Sequence, residues 1–320
     1  MLRTILIAIL LLVYSAISFA QTEEEILPAE RKQLTVITEP FTIYKGFFRA
    51  GVTLQYSALY KTFDANGKRV PISNASGTTW AAQLLLQYGI TDRLQVTAAL
   101  PYLSQDLSLS YRAEAPGLGF FGQQKLEGEG SGLSDIWLGL DYQLITETTT
   151  RPSLKAMLTV TIPSAEANPV DTSNDEVFDL PVGSGFYSVD VALSIRKISY
   201  PFAYSAYVSY KMNLEGTKQF NLGQPEQTFN DGDMATVSGS FGFHMNEWLA
   251  LKNDVYYFYF ATDQVEGQDV EDSKSWTIQY TPTLSFQIKR LRVNQAIQIP
   301  LFGNMAGADP GFILVVQYMF

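Results

Sequence analysis

The chain predicts an all-β fold: a transmembrane, antiparallel, up-and-down β-barrel of about twelve strands, preceded by a cleaved signal peptide. Three observations carry this. Apolar and polar residues alternate over most of the chain, as in strands with one face in lipid and the other in a polar interior. Past residue 20 no apolar run approaches the roughly 20 residues that a membrane helix needs, and mean hydropathy is near zero. The chain ends on Gly311 to Phe320, where Phe312, Leu314, Val316, Tyr318 and Phe320 share one face of a period-two strand. A closed sheet of such tilted strands satisfies every backbone N–H and C=O within lipid.

Residues 1–20 read as a signal peptide. Arg3 precedes an apolar run from Ile5 to Ile17, and Ser18-Phe19-Ala20 supplies small residues for cleavage after Ala20. No cysteine follows, which excludes a lipoprotein. Removing Arg3 leaves 21 Lys and Arg against 32 Asp and Glu, a net charge of −11. So acidic a chain gives no reason to expect nucleic acid as a partner, and zero cysteines remove disulfides and thiolate metal ligands. No cofactor and no metal site is expected. Residues 21–46, with the acidic triplet Glu23 to Glu25 and prolines Pro28 and Pro40, lack alternation. They are expected on the periplasmic side, either disordered or folded into the barrel mouth as a plug; the barrel itself spans 47–320.

From Phe47 the alternation is sustained. Phe47 to Lys61 turns Phe48, Val52, Leu54 and Tyr56 outward and Arg49, Thr53, Gln55 and Lys61 inward. After the polar loop at Asp64-Ala65-Asn66-Gly67, the next strand puts Trp80, Ala82, Leu84, Leu86 and Tyr88 outward. A turn at Gly89 to Asp92 leads to the strand from Leu94 to Tyr102. Glycine-rich Ser104 to Gly132 reads as a flexible surface loop. Its Gly117-Leu118-Gly119-Phe120-Phe121-Gly122 has the spacing of a dinucleotide fingerprint but no preceding strand and following helix in a βαβ unit, so a nucleotide site is rejected.

Asp135 to Leu144 alternates cleanly, and across a turn at Thr146 to Pro152 its partner runs from Leu154 to Ile162. The acidic loop Pro163 to Gly185 precedes strands at Tyr187 to Arg196 and Phe202 to Met212. A second long loop, Glu215 to Asp233, precedes Met234 to Met245; a short turn at Asn246-Glu247 leads into Leu249 to Ala261. After the loop Asp263 to Lys274 come Ser275 to Gln287, the turn Lys289-Arg290, Leu291 to Phe302, and the closing strand. Tight and long connections alternate. Tight turns belong to the periplasm and long loops outside, so both termini are expected to be periplasmic. Outward Tyr60, Trp80, Tyr102, Tyr142 and Trp276 suit interfacial girdles.

The parity that selects the lipid face also names the lumen. It points Arg49, Arg93, Asp135, Asp141, Lys155, Asp190, Arg196, Lys211, Lys252, Asp254 and Arg292 inward, with the aromatics Trp137, Tyr207, Tyr256, Phe258 and Phe260. Asp141 with Lys155, and Asp190 with Lys211, lie at similar depth and are expected to pair. Polar pairs and aromatics suit a narrow or gated path better than an open pore. His244, the one histidine, faces inward beside a tight turn, the wrong end for a hydrolase at the outer rim. Acidic groups around Asp171 to Asp179 and Asp263 to Asp272 have the chemistry to bridge lipopolysaccharide through divalent ions, but lack an ordered calcium-loop motif and read as solvated loop faces.

Several stretches resemble the outer-membrane transporter family named for the meta-pathway of phenol degradation. They are Thr42-Ile43-Tyr44-Lys45-Gly46, Tyr88-Gly89-Ile90-Thr91-Asp92-Arg93-Leu94 with Leu100-Pro101-Tyr102, Gly132-Leu133-Ser134-Asp135-Ile136-Trp137-Leu138-Gly139, and Thr161-Ile162-Pro163. Ser164 departs from the family pattern, in which threonine and glycine are expected after Ile162-Pro163. The resemblance implies uptake of aromatic or other hydrophobic small molecules and supplies no binding residues. The resulting expectation is a channel, not an enzyme, in the bacterial outer membrane. Its expected partners are lipid and lipopolysaccharide, a small solute, and the barrel-assembly machinery, which would read the terminal phenylalanine. The alternative is a structural or adhesive barrel with a closed lumen and partner-binding loops.

Overall fold

The computed structural model describes residues 41–72, 75–114, 121–167, 177–218 and 225–320. The expected leader, most of the N-terminal segment and the glycine run 117–120 lie outside the described residues. Twelve antiparallel strands close on themselves: β1 (Phe48–Leu59), β2 (Ala75–Gly89), β3 (Leu94–Glu114), β4 (Ile136–Ile145), β5 (Ser153–Ile162), β6 (Ser188–Ser199), β7 (Phe202–Asn213), β8 (Met234–His244), β9 (Leu249–Phe260), β10 (Ser275–Ile288), β11 (Leu291–Asn304) and β12 (Gly311–Met319). Each pairs with its chain neighbours. The ring closes where β1 meets β12, from Arg49↔Met319 to Tyr56↔Phe312. An open edge in lipid would leave a row of unsatisfied backbone groups at several kcal/mol each, so this junction is what lets the sheet exist in a membrane.

The alternation expected from sequence fixes which face of the wall meets lipid. Val52, Leu84, Leu100, Leu138, Leu193, Val237 and Val316 are all exposed on the outer surface. On β2, Trp80 and Tyr88 bracket the apolar residues between them; eight residues of tilted strand rise roughly 20 Å along the membrane normal, close to the apolar band of such barrels. Tyr56 packs on Trp80 at 4.7 Å at that margin. The apolar face of the closing strand is outward as well, with Phe312, Tyr318 and Phe320 exposed.

Tight turns lie at one end and long connections at the other, here called the turn end and the loop end. Phe48 and Phe320 are both at the turn end, joined by Phe320 N–H donating to the Phe48 carbonyl at 2.8 Å. At the loop end the chain builds more structure than its sequence suggests. Residues 104–132, expected to be a flexible loop, are largely strand: β3 continues to Glu114 and pairs with Phe121–Leu133 along its length. Beyond the membrane both faces of a sheet meet water, so the apolar alternation that reveals a lipid-facing strand is absent. One glycine there has a specific task. A side chain at Gly130 would sit 2.2 Å from the Leu180 carbonyl, where the neighbouring loop passes. Lys61 also differs from expectation: it belongs to a short hairpin, Lys61–Phe63 with Arg69–Pro71, and is exposed rather than luminal. A four-stranded sheet of Gly216–Lys218, Gln227–Asn230, Gln264–Val265 and Gln268–Asp269 completes that end.

The β10–β11 ladder is irregular. It shifts register at Ile278/Gln279 and makes no pairs at Thr281 and Pro282. Pro282 has no N–H to donate, which accounts for part of the gap.

Candidate functional site

The interior contains a cavity of about 470 Å³ near the turn end. Strand register explains its lining. Side chains two apart on each strand face the lumen, so Arg49 opens β1, Lys155 lies near the start of β5, Arg196 near the end of β6, Lys252 near the start of β9 and Arg292 near the start of β11. All five line the cavity, as do Asp254 and Tyr256. Neutral polar side chains fill between them, among them Gln87, Gln95, Thr281, Thr283 and Asn294.

The carboxylates beside these cations are placed unequally. Lys155 Nζ lies 3.1 Å from Asp141 Oδ2, which also accepts from Gln95 Nε2 at 2.8 Å. Arg196 lies 3.6 Å from Glu147. Lys252 lies 2.9 Å from Asp254, and the Ser240 hydroxyl donates to the same carboxylate. Asp141 and Glu147 do not line the cavity, so the cationic end of each of those two pairs faces it. Arg49 donates to Gln87 at 2.7 Å and Arg292 to Gln287 at 3.0 Å.

The segment ahead of β1 folds into the turn end, where Phe41 reaches the cavity. Thr42 and Ile43 are fully buried, with the Thr42 hydroxyl donating to the Asp92 carbonyl at 3.0 Å. Ile43 N–H donates to Gln95 Oε1 at 2.7 Å. The Phe41 ring lines the cavity beneath two cations, 5.2 Å from Lys155 Nζ and 4.7 Å from the Arg196 guanidinium. Gly89 is required beneath this segment, because a Cβ there would fall 2.1 Å from the Tyr44 carbonyl oxygen.

Toward the loop end the inward positions become aromatic. On β9 the inward series runs Lys252, Asp254, Tyr256, Phe258, Phe260, and the Tyr256 and Phe258 rings stack at 5.6 Å with 8° between their planes. Trp137 and Tyr207 are half-buried on the same inward parity.

Some expected placements change. Asp135 is not in the lumen wall: it sits at the loop end, accepting from Ser164 N at 3.0 Å, Ala165 N at 3.2 Å, Ser184 N at 2.7 Å and the Ser184 hydroxyl at 2.5 Å. Four donors from two returning segments converge on one carboxylate, so it staples the loop. Asp190 and Lys211 face each other in register across β6 and β7, yet make no ion pair, and Asp190 Oδ1 is buried without a hydrogen-bond partner. Arg93 lies in the bend before β3, outside the cavity lining, its carbonyl accepting from Gln143 N at 2.7 Å. His244 is buried and stacks on Tyr200 at 5.5 Å. The glutamines Gln87 and Gln95 and the ring of Phe41 were not singled out from the sequence. Parity placed both glutamines inside, but only the register shows that they gather with the basic residues.

A closed twelve-stranded barrel with an apolar outer belt and a polar interior defines an outer-membrane β-barrel protein. The chain belongs to the family described as "Putative MetA-pathway of phenol degradation", whose model matches residues 93–294. Among solved structures it resembles a COG4313 outer membrane channel from Pseudomonas putida F1, with 16% identity and a TM-score of 0.67 over 87% of this chain and 97% of that one. The translocator domain of the autotransporter NalP from Neisseria meningitidis gives 6% identity and 0.47, over 91% and 95% of the two chains. The toluene transporter TodX of Pseudomonas putida gives 12% and 0.41, over 89% and 92%. The comparison with curated protein sequences gives no match.

Proposed function

We propose that the mature chain is a passive outer-membrane channel for small hydrophobic or aromatic solutes and performs no chemistry. The observation that carries this is the inward face of β9, where Tyr256, Phe258 and Phe260 lead from the loop end to a cavity of about 470 Å³. That volume lies within the range of small-molecule sites. The structural likeness to the COG4313 outer membrane channel supports the same reading. In this reading the turn end and both termini are periplasmic, residues 1–20 are removed, and the loop end meets lipopolysaccharide. The terminal strand is read by the assembly machinery. The segment ahead of β1 acts as a plug held through Phe41, Thr42 and Ile43.

The test is flux through the refolded mature chain in liposomes, comparing a phenolic solute with a sugar of similar size and subtracting protein-free vesicles. A phenolic increment that falls when Phe258 and Phe260 are replaced by Ala supports the proposal. Equal increments would make it a general pore. No increment for either solute would favour a closed structural barrel, a reading to which the buried Thr42 and Ile43 at the turn end lend some weight.

A further inference from the structure

Lys252 and Phe260 stand on the same face of one strand, eight residues apart, which at about 3.4 Å per residue is roughly 27 Å of wall. The lumen therefore changes character along its length, from aromatic near the loop end to cationic near the turn end. We infer that the turn-end cavity is a binding site for the carboxylate of an aromatic acid, so that this channel favours aryl anions over neutral or cationic solutes of the same shape. The inference rests on the channel reading above and names its solute class.

The cavity lining carries five cationic side chains and one carboxylate, Asp254. They come from two arcs of the wall that do not adjoin: β9, β11 and β1 on one, β5 and β6 on the other. A bound anion would be approached from two sides rather than from one charged strip. Lys155 gives one N–H to the Asp141 carboxylate at 3.1 Å and Lys252 forms an ion pair with Asp254 at 2.9 Å, while an ammonium has three N–H groups to give. The Lys252 side chain is 38% exposed within this interior, so its remaining donors are accessible from the cavity. A carboxylate there would receive charge-assisted hydrogen bonds in a confined space, where they are stronger than in open water. An ammonium at the same point would meet like charge.

The aromatics supply the other half of the argument. Tyr256 lines the cavity and stacks on Phe258 just above it. A solute with an aromatic body and an anionic head fits that order when the ring packs on Tyr256 and the head points to Lys252. An aliphatic polyanion would use only the lower part.

The experiment uses three monosubstituted benzenes of similar size, the anion benzoate, the neutral benzyl alcohol and the cation benzylamine, with the full mature chain folded in detergent. Equilibrium dialysis measures binding and liposome flux measures passage. Benzoate is expected to bind about tenfold more tightly than benzyl alcohol, with benzylamine weakest, and its lead is expected to shrink as salt rises. Lys252→Gln and Arg292→Gln are each expected to lower benzoate affinity severalfold and benzyl alcohol affinity far less, so that the benzoate preference shrinks. Lys252→Arg, which keeps the charge, is expected to stay near the parent. Retained heat-modifiable mobility on gels shows that each variant is folded. Benzylamine binding as well as benzoate, or benzoate affinity insensitive to both Gln variants, overturns the inference. Benzoate preference in binding without flux of any solute would leave the site standing and remove the channel. Neutral aromatic flux without benzoate preference would do the reverse.

Discussion

The Arg196 guanidinium lies 4.7 Å from the centre of the Phe41 ring, and Lys155 Nζ lies 5.2 Å from the same centre. A residue ahead of the first strand is thus clasped by two cations from adjacent strands of the wall. Each such contact is worth roughly 0.5–2 kcal/mol and adds to the hydrogen bonds that Thr42, Ile43, Lys45 and Gly46 make to the wall and its turns. Phe41→Ala is expected to raise single-channel conductance in planar bilayers. Gly89→Ala should act in the same direction, since its Cβ would displace the Tyr44 and Ile43 carbonyls that pass at 2.1 and 2.5 Å. Parent-like conductance in both folded variants would show that residues 41–46 do not limit passage.

Asp135 accepts four hydrogen bonds from the loop that follows β5. Removing a charged acceptor from several donors costs on the order of 3 kcal/mol, and here the loss should fall on the loop rather than the barrel. Asp135→Ala is expected to make residues 163–184 sensitive to proteinase K with thermal unfolding of the barrel little changed. Asp135→Asn, which keeps one acceptor oxygen, should be intermediate. Cleavage elsewhere, or none, would contradict the stapling role.

Burial, and after it the nearby Asp263 carboxylate, push the Asp231 carboxyl above its usual range, opposed by Lys211 and Lys218. Asn213 Nδ2 also reaches Asp231, and Asp233 accepts from Asn213 N–H. A raised carboxyl pKa means that the folded loop holds the proton more tightly than the unfolded chain. The stabilisation is therefore full below the ordinary carboxyl value and is lost as pH rises through the elevated one. Hydrogen exchange of residues 227–233 is expected to quicken, after correction for intrinsic rate, from about pH 4 toward neutrality. Asp231→Asn should flatten that dependence; an unchanged slope would place its origin elsewhere.

Phe320 packs on Phe48 at 5.8 Å and on Tyr318 at 4.8 Å, on the lipid face. Losing its ring forfeits roughly 2–3 kcal/mol of apolar burial and ring contact. Phe320→Ala is expected to reduce the heat-modifiable fraction recovered from outer membranes more than Val237→Ala, a similarly exposed lipid-facing change in mid-barrel. Refolding in detergent should differ far less. Equal losses in cells would mean that the terminal ring contributes lipid contact alone.

Within the membrane the chain's own pattern determined the answer. A side-chain period of two in a nonpolar solvent leaves one arrangement that satisfies the backbone, so about twelve strands, their outward faces and the inward parity of Arg49, Lys252 and Arg292 are legible in the sequence alone. Outside the membrane that constraint lapses. Glu114 and Phe121 pair across two strands that extend past the barrel wall, and nothing in their alternation announces it. Asp135 has inward parity, but loop backbone captured it instead, because four N–H and O–H donors arrive there only after the chain has folded back. Parity also says nothing about depth between distant strands. Tertiary register alone gathered Arg196, Lys252 and Arg292 around one cavity, slid Phe41 beneath Arg196, and left Asp190 facing Lys211 without pairing. Local periodicity controls which way a side chain points; which charges meet depends on strands far apart in sequence arriving at the same height.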